Sequence, residues 1–313
     1  LGLVAQGGLP SGVEGVRRWS RHRPRYGGGR PGSSGSRWRP AGGSGYLGAA
    51  MSPPTFLLED PGPDPLDRRF ELAPAESRHV ASLRLRPGEE IRLTDGAGRL
   101  WRGRLEEVGE PAACILIEAV EAPPQLPVEL AFGVGARDRT LWLVEKAVEL
   151  GAAALHPVAC RRSSSVADAA RSAGFWRKAR RRAVSALKQC GAARLPEMGP
   201  VRDLHEYLDR DRRAAPGDRF AEDGPDFLLD REGSVGLWGA LEGWRGHRPA
   251  RLLAGPEGGL TDEERRACRE AGFRAVRLGR RILRFETAAV AALSVASARR
   301  EAEIDATREA SDG

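Results

Sequence analysis

Two glycine-containing segments in the C-terminal half of the chain have the residue types of ligand-binding loops. The first, "LLAGPEGGLTDEE" (252–264), is an apolar run followed by a glycine-rich turn with Glu257 and a helix-start signal. The second, "LGRRILRFETAA" (278–289), places Arg284 and Glu286 after a strand end and a glycine. Open α/β sheets bind ligands at the carboxyl ends of their strands, so we expect the two loops to lie side by side at the ends of neighbouring strands.

The first loop has the wrong composition for a phosphate site. It lacks the lysine of a P-loop and the glycine spacing of a dinucleotide fold, and Glu257 would repel a polyphosphate. Backbone N–H and C=O groups beside a carboxylate suit a neutral or cationic ligand instead. From the spacing alone, a tight turn whose glycines only supply unusual dihedral angles explains the segment equally well. In the second loop, Glu286 is also explained by the helix dipole.

A third segment, residues 171–194, carries eight basic side chains and no acid. A solvated face usually mixes charges of both signs, so this run favours a phosphate backbone as partner. The candidate RNA contacts are Arg177, Lys178, Arg181, Lys188, Gln189 and Arg194. The alternative is a charge run exaggerated by the composition of the chain, which has 47 arginines and 3 lysines.

The net charge of +7 comes from the first fifty residues, which hold eight arginines and one acid. Residues 51–313 hold 42 basic and 42 acidic side chains. Residues 1–50 are rich in glycine and arginine and have little periodicity, so we expect them to be disordered. Because Met51 is the first methionine, we expect this extension to be translated upstream sequence that is not native. The alternative is a basic arm that binds RNA.

The remaining composition argues against metal and membrane sites. The four cysteines have no C-x-x-C spacing, which predicts neither a zinc site nor a disulfide framework. No stretch approaches eighteen consecutive apolar residues, and the N-terminus does not have the pattern of a secretory signal. We therefore expect a cytoplasmic protein without a metal or a membrane span.

The elements that must position the loops form two predicted domains. Residues 51–122 predict short strands and a hairpin around "DGAG", typical of a small β-barrel. After the proline-rich "EAPPQLP", residues 127–303 alternate strands with helices, which predicts an α/β fold with a mostly parallel sheet. The alanine-rich final helix predicts tight packing against the sheet or a second subunit. We expect a loop over 205–225 and a tail over 304–313.

The two loop segments together resemble the signature of the ribosomal RNA small-subunit methyltransferase E family, in the SPOUT superfamily of knotted methyltransferases. Further matches are "EKAVELGA" (145–152), "PVACRRSSSV" (157–166) and "LKQCGAARLPEM" (187–198), and the resemblance covers about residues 53–303. It implies a trefoil-knotted methyltransferase domain and a PUA-like N-terminal RNA-binding domain. It also implies S-adenosylmethionine as cofactor, N3 of a uridine in 16S ribosomal RNA of the small subunit as target, and a homodimer with the site near the subunit interface. Family members usually carry other residues where this chain has Lys188 and Ala192.

The resemblance also implies roles for individual residues. The cofactor-binding residues would be Leu229, Gly255, Pro256, Glu257, Gly258, Gly259, Leu278, Gly279, Ile282 and Leu283. Loss of the N3 proton from an unpaired or flipped uridine puts negative charge on the ring, which a fixed cation would stabilise. Arg284 is the first candidate for that cation and Arg162 the second, whereas Glu286 or Glu257 would accept the proton or only orient the loops.

Two alternatives to this function remain open at the level of sequence. One is a related knotted methyltransferase that acts on another RNA nucleotide. The other is a non-catalytic RNA-binding ribosome assembly factor, which would share the barrel and the basic helix but would not need both loops intact.

Overall fold

A computed structural model of the chain describes residues 53–163, 167–168, 170–212, 224–245 and 249–312. The expectations for residues 1–50 lie outside these ranges. Residues Met51–Gly313 form one unit that contains two separate β-sheets. No helix in the described ranges combines the length and the apolar character that a membrane crossing requires.

The N-terminal domain consists of a five-stranded sheet and one helix. The strands are β1 (Thr55–Leu57), β2 (Arg69–Glu71), β3 (Glu90–Thr94), β4 (Leu100–Glu107) and β5 (Ala113–Val120), in the order β1-β3-β4-β5-β2. Strands β3 and β4 pair antiparallel around the "DGAG" turn, as the sequence predicts. Helix α1 (Pro74–Ser82) packs on this sheet and was not predicted, because two of its three buried residues, Glu76 and Ser77, are polar and hide the apolar periodicity.

The second sheet is parallel throughout its described pairs. Its strands are β6 (Leu126–Gly133), β7 (Ala152–Ala159), β8 (Glu197–Met198), β9 (Arg202–Asp203), β10 (Asp226–Leu229), β11 (Val235–Gly236), β12 (Ala250–Ala254) and β13 (Arg274–Arg277). The order is β11-β13-β10-β12-β6-β7-β8, and β9 also pairs with β7. The predicted α/β fold with a mostly parallel sheet is confirmed.

Helices cover both faces of this sheet. They are α2 (Arg137–Glu149), α3 (Ala173–Cys190), α4 (Leu204–Arg212), α5 (Leu237–Ala240), α6 (Asp262–Glu270) and α7 (Phe285–Asp312). Alternate residues of a strand face opposite layers. Leu130 and Leu252 accordingly pack with α2, α3 and α7, whereas Ala131 and Leu253 pack with α4 and α6. The small side chains of α7 allow it to lie close against β6 and β12, as expected.

Two predicted loops are wrong in part. Helix α4 begins at Leu204 and runs through the first part of the expected loop 205–225 to Arg212, because Leu204, Tyr207 and Leu208 share one buried helical face. Residues 213–223 of that loop lie outside the described ranges, and residues 224–225 are neither helix nor strand. The predicted tail 304–313 continues α7 as a helix as far as Asp312.

The turn between β3 and β4 joins the two sheets. The Thr94 hydroxyl donates a hydrogen bond to the carbonyl oxygen of Ala193 at 3.0 Å, and Gly98 N–H donates to the same oxygen at 2.9 Å. Leu195 N–H donates in turn to the Gly96 carbonyl at 2.9 Å. The segment that follows α3 is therefore bonded to the N-terminal domain through its backbone.

Candidate active site

The candidate site lies where three adjacent parallel strands end. Strand β10 separates β12 from β13, so the two signature loops do not follow neighbouring strands, and that expectation is wrong. Leu229 at the end of β10 is level with Ala254 on one side and Val276 on the other. The chain adds β12 and β13 on opposite sides of β10, and local sequence does not specify that order. A third loop, which starts at Asp230, therefore enters the site between the other two.

The three loops border a cavity of about 460 Å³. All ten residues predicted to bind the cofactor line it: Leu229, Gly255, Pro256, Glu257, Gly258, Gly259, Leu278, Gly279, Ile282 and Leu283. The sequence reasoning missed five charged residues of the lining, namely Asp230, Arg231, Glu232, Arg265 and Arg281. The signal for Asp230 was present, because this acid follows the buried strand "DFLL" as directly as Gly255 follows "RLLA".

The first loop is held in a tight shape by its glycines and by a helix cap. Gly259 has a φ of 70°, in the left-handed region that glycine tolerates best, and its N–H donates to the Pro256 carbonyl at 2.8 Å. The helix-start signal of the sequence forms a capping box: Thr261 N–H donates to Glu264 at 2.8 Å, and Glu264 N–H donates to the Thr261 hydroxyl at 3.2 Å.

Arg162 lines the cavity and is bonded to the first loop. It lies in a 3-10 turn, Arg161–Ser163, that the Glu264 carboxylate holds by accepting a hydrogen bond from Arg161 N–H at 2.7 Å. The Arg162 guanidinium donates to the Gly258 carbonyl at 2.9 Å. This arrangement makes Arg162 a support for the loop backbone.

Arg139 at the start of α2 connects the two acidic candidates. Its guanidinium lies 2.9 Å from a carboxylate oxygen of Glu257 and 3.7 Å from one of Glu286. Glu286 is only 7% exposed, and its second oxygen, Oε2, has no hydrogen-bond partner among the described residues. Arg139 was missed by the sequence reasoning, since no motif distinguishes it from the other arginines. Arg139 lies in the helix that follows β6, and β6 is the neighbour of β12 in the sheet. This placement brings Arg139 close to the first signature loop, which follows β12, and to the start of α7.

Arg284 lies at the edge of the site. It does not line the cavity, but it follows Leu283, which does, and it directly precedes α7. Its side chain is exposed and makes no ion pair within the described ranges. Of the three catalytic candidates, Arg284 therefore has the side chain most available to a second ligand at the rim.

The candidate RNA contacts fall into two groups. Four of them have exposed side chains, Arg177, Arg181, Gln189 and Arg194, and Lys178 is half-buried. Lys188 is different, because its ammonium lies 2.8 and 3.0 Å from the two carboxylate oxygens of Glu76 in α1. This ion pair joins the two domains and removes Lys188 from the exposed basic surface, which corrects its place in the predicted group.

Cysteine and metal chemistry have little support in the described part of the chain. Burial raises the pKa of the Cys114 and Cys268 thiols to about 12 and also raises that of Cys160. These thiols stay protonated near neutral pH and are poor nucleophiles. Over the same residues, no three His, Cys, Asp or Glu side chains are grouped so as to hold a metal ion.

Comparisons with known proteins agree with this geometry. The family described as RNA methyltransferase domain matches residues 122–297, and the family described as RNA methyltransferase PUA domain matches residues 72–118. The chain is 32% identical over 221 residues to a protein of Mycobacterium bovis named ribosomal RNA small subunit methyltransferase E. The aligned region covers 70% of this chain and 82% of that relative.

Two solved structures are also similar. A ribosomal RNA small subunit methyltransferase E from Neisseria gonorrhoeae, bound to S-adenosylmethionine, has a TM-score of 0.67 and 28% identity, covering 77% of this chain and 95% of that one. A methyltransferase from Legionella pneumophila with bound S-adenosylmethionine has a TM-score of 0.64 and 26% identity, covering 79% and 97%.

Proposed function

The chain belongs to the ribosomal RNA small subunit methyltransferase E family of RNA methyltransferases, and on this basis we propose that it methylates N3 of a uridine in 16S ribosomal RNA with S-adenosylmethionine. One observation carries the proposal. All ten residues that the signature assigns to the cofactor, from three separate stretches of the chain, line one cavity of about 460 Å³. A non-catalytic assembly factor would not need that convergence.

The residues around the cavity fit this cofactor. Leu229, Leu278 and Leu283 provide apolar surface for a flat adenine ring, and the loop 255–259 provides backbone donors and acceptors beside it. The lining holds three carboxylates, which suit the sulfonium and amino groups of the cofactor: Asp230, Glu232 and Glu257. It also holds four arginines, whose charge suits the carboxylate of the cofactor: Arg162, Arg231, Arg265 and Arg281. When bound, S-adenosylmethionine supplies an electrophilic methyl group on a sulfonium cation. The two similar structures that contain it support the assignment.

Arg284 is the residue we propose for stabilising the uridine. Transfer of the N3 proton to solvent water leaves negative charge on the ring and its carbonyl oxygens, and a guanidinium at the rim of the cavity would stabilise it. The exposed, unpaired state of Arg284 within the described ranges supports this role. Arg162 is already engaged with the Gly258 carbonyl, so we assign it to loop support.

Glu257 and Glu286 act in this proposal as positioning residues. Arg139 contacts both carboxylates, so the three side chains fasten the first loop to the beginning of α7. The loop that carries Arg284 ends where α7 begins, and the network therefore fixes the position from which Arg284 acts.

The experiment that tests this function compares Arg284→Ala with the matched control Arg280→Ala. Arg280 lies on the same loop, is exposed and does not line the cavity. Calorimetry should show that both variants bind S-adenosylmethionine like the unaltered protein. In a methyl-transfer assay on 16S RNA, Arg284→Ala should lose about 10²–10³-fold in rate, while Arg280→Ala stays near the unaltered rate. Full turnover by Arg284→Ala would remove this residue from the mechanism.

We also propose the larger arrangements that the resemblance implies. The proposed domains 51–122 and 127–303 overlap the family matches over 72–118 and 122–297, and residues 1–50 belong to neither match. The strand order, with β12 between β10 and β6 and α7 packed across both β6 and β12, is compatible with a SPOUT trefoil knot. The homodimer that the resemblance implies, with the site near the subunit interface, would cover the side chain of Ile282, which lines the cavity and is 81% exposed. Light scattering of the purified protein would measure whether it is a homodimer in solution.

A further inference from the structure

A second cavity lies between the N-terminal domain and helix α3. Its volume is about 810 Å³, and it shares no lining residue with the cofactor cavity. One wall comes from the β3–β4 turn and the residues after β1, and the other from the first half of α3 and the segment 195–200. The proposed methyl-transfer chemistry gives this cavity no role.

The α3 wall combines an aromatic ring with two cations on one helical face. Ala173, Trp176, Arg177 and Arg180 are spaced at i, i+3, i+4 and i+7, so they share that face, and all four line the cavity. Neither guanidinium makes an ion pair with any residue that the structure describes. The buried Phe175 ring meets the Trp176 ring edge-on, with centroids 5.1 Å apart at 86°, and this contact fixes the indole.

The opposite side of the cavity is acidic. Glu59 and Asp60 line it and make no ion pair in the described ranges, whereas Asp95 is bonded to Arg99 at 2.7 Å. Glu197 lies on the other wall, in the segment 195–200. Carboxylates repel phosphate and accept hydrogen bonds from the exocyclic amines of nucleobases. An aromatic ring with nearby arginines binds the base and backbone of single-stranded RNA. The two walls are therefore complementary to the two ends of a nucleotide.

We propose that this cavity binds one unpaired nucleotide of the RNA substrate, distinct from the nucleotide that is methylated. The base stacks on Trp176, its phosphates contact Arg177 and Arg180, and its exocyclic amine faces Glu59 and Asp60. Uracil has carbonyl oxygens and no exocyclic amine, so the cavity selects cytosine, adenine or guanine over uracil. This inference rests on the proposed function only for the identity of the partner as RNA.

The test measures binding of short unstructured oligoribonucleotides by fluorescence anisotropy. Oligocytidine and oligoadenosine should bind about tenfold more tightly than oligouridine. Trp176→Ala should weaken oligocytidine binding roughly tenfold or more, and Trp176→Phe should restore most of it because a stacking ring remains. Changing both Glu59→Gln and Asp60→Asn should abolish the preference over oligouridine. Arg177→Ala and Arg180→Ala should each remove one phosphate contact and so reduce the slope of log affinity against log salt concentration by about one.

Arg182→Ala is the matched control, because Arg182 lies on the same helix, does not line the cavity and pairs with Glu145 at 3.2 Å. It should leave base preference unchanged. Equal affinity for all three oligonucleotides or unaltered binding by Trp176→Ala would each overturn the inference. Calorimetry with S-adenosylmethionine separates the two proposals: cofactor binding without base preference contradicts only this inference, and base preference without cofactor binding contradicts only the proposed function.

Discussion

The ion pair between Lys188 and Glu76 predicts a stability effect where the sequence had indicated an RNA contact. The Lys188 side chain is 15% exposed and the Glu76 side chain 8%, and Lys188 Nζ lies 2.8 Å from Glu76 Oε1. Glu76 also accepts a hydrogen bond from Leu57 N–H at 3.3 Å, so the carboxylate is fixed in place. Lys188→Met keeps much of the apolar side chain and removes the charge, which leaves a buried carboxylate without its cation.

The size of the effect follows from the burial of the pair. Removing one partner of a fully buried pair costs about 3–5 kcal/mol, and the partial exposure of Lys188 lowers the expected free-energy cost to about 2–4 kcal/mol. For a folded region of this length, that corresponds to a fall in Tm of roughly 4–16 °C. Chemical denaturation and thermal melts followed by circular dichroism measure both quantities.

Lys178→Met is the matched control, since Lys178 lies on the same helix and makes no ion pair within the described ranges. It should change the free energy of unfolding by less than about 0.5 kcal/mol. Combining Lys188→Met with Glu76→Gln should cost less than the sum of the single changes, because both remove one interaction. The reasoning is refuted if Lys188→Met melts like the unaltered protein and weakens RNA binding as much as Arg177→Ala does.

Three further predictions concern pH, the loop network and the glycine at the end of β6. Burial, and then the charge of Lys188, lower the pKa of His79 below 6.5, so the unfolded chain binds the proton more readily than the folded chain. His79 therefore stabilises the fold fully above pH 6.5 and less as the pH falls. His79→Gln should flatten that part of a plot of Tm against pH. Arg139→Gln should lower stability by about 1–3 kcal/mol in denaturation, because it leaves buried Glu286 without its ion pair, whereas the more exposed pair lost in Arg182→Gln should cost under about 1 kcal/mol. A Cβ on Gly133 would lie 2.4 Å from Pro256 N, so Gly133→Ala should displace the first loop and weaken S-adenosylmethionine binding in calorimetry about tenfold, whereas Gly239→Ala, which has open space, should not.

The parts of the site that were predictable from sequence are those determined by local residues. The glycine turns, the capping box of Thr261 and Glu264 and the strand ends at Ala254 and Arg277 each depend on a few consecutive positions. Ten cofactor residues could therefore be named before the cavity was known, with the help of the family signature.

The parts that were missed depend on long-range packing. The place of β10 between β12 and β13 is set by the topology of the whole sheet, so the third loop at Asp230 was not assigned to the site. Arg139 meets Glu257 across 118 positions of sequence, and Lys188 meets Glu76 across 112. In a chain with this many arginines, the residue type carries no information about which carboxylate a given side chain will contact.

The most direct test of the central claim is to map the methylated nucleoside itself. Purified protein is incubated with unmodified 16S RNA or small ribosomal subunits and S-adenosylmethionine that carries an isotope-labelled methyl group, and the RNA is digested to nucleosides for mass spectrometry. We expect the label in 3-methyluridine, and we expect Arg284→Ala to reduce it strongly. Label on another base or another atom, or no transfer to either RNA, would contradict methylation of uridine N3 in 16S RNA.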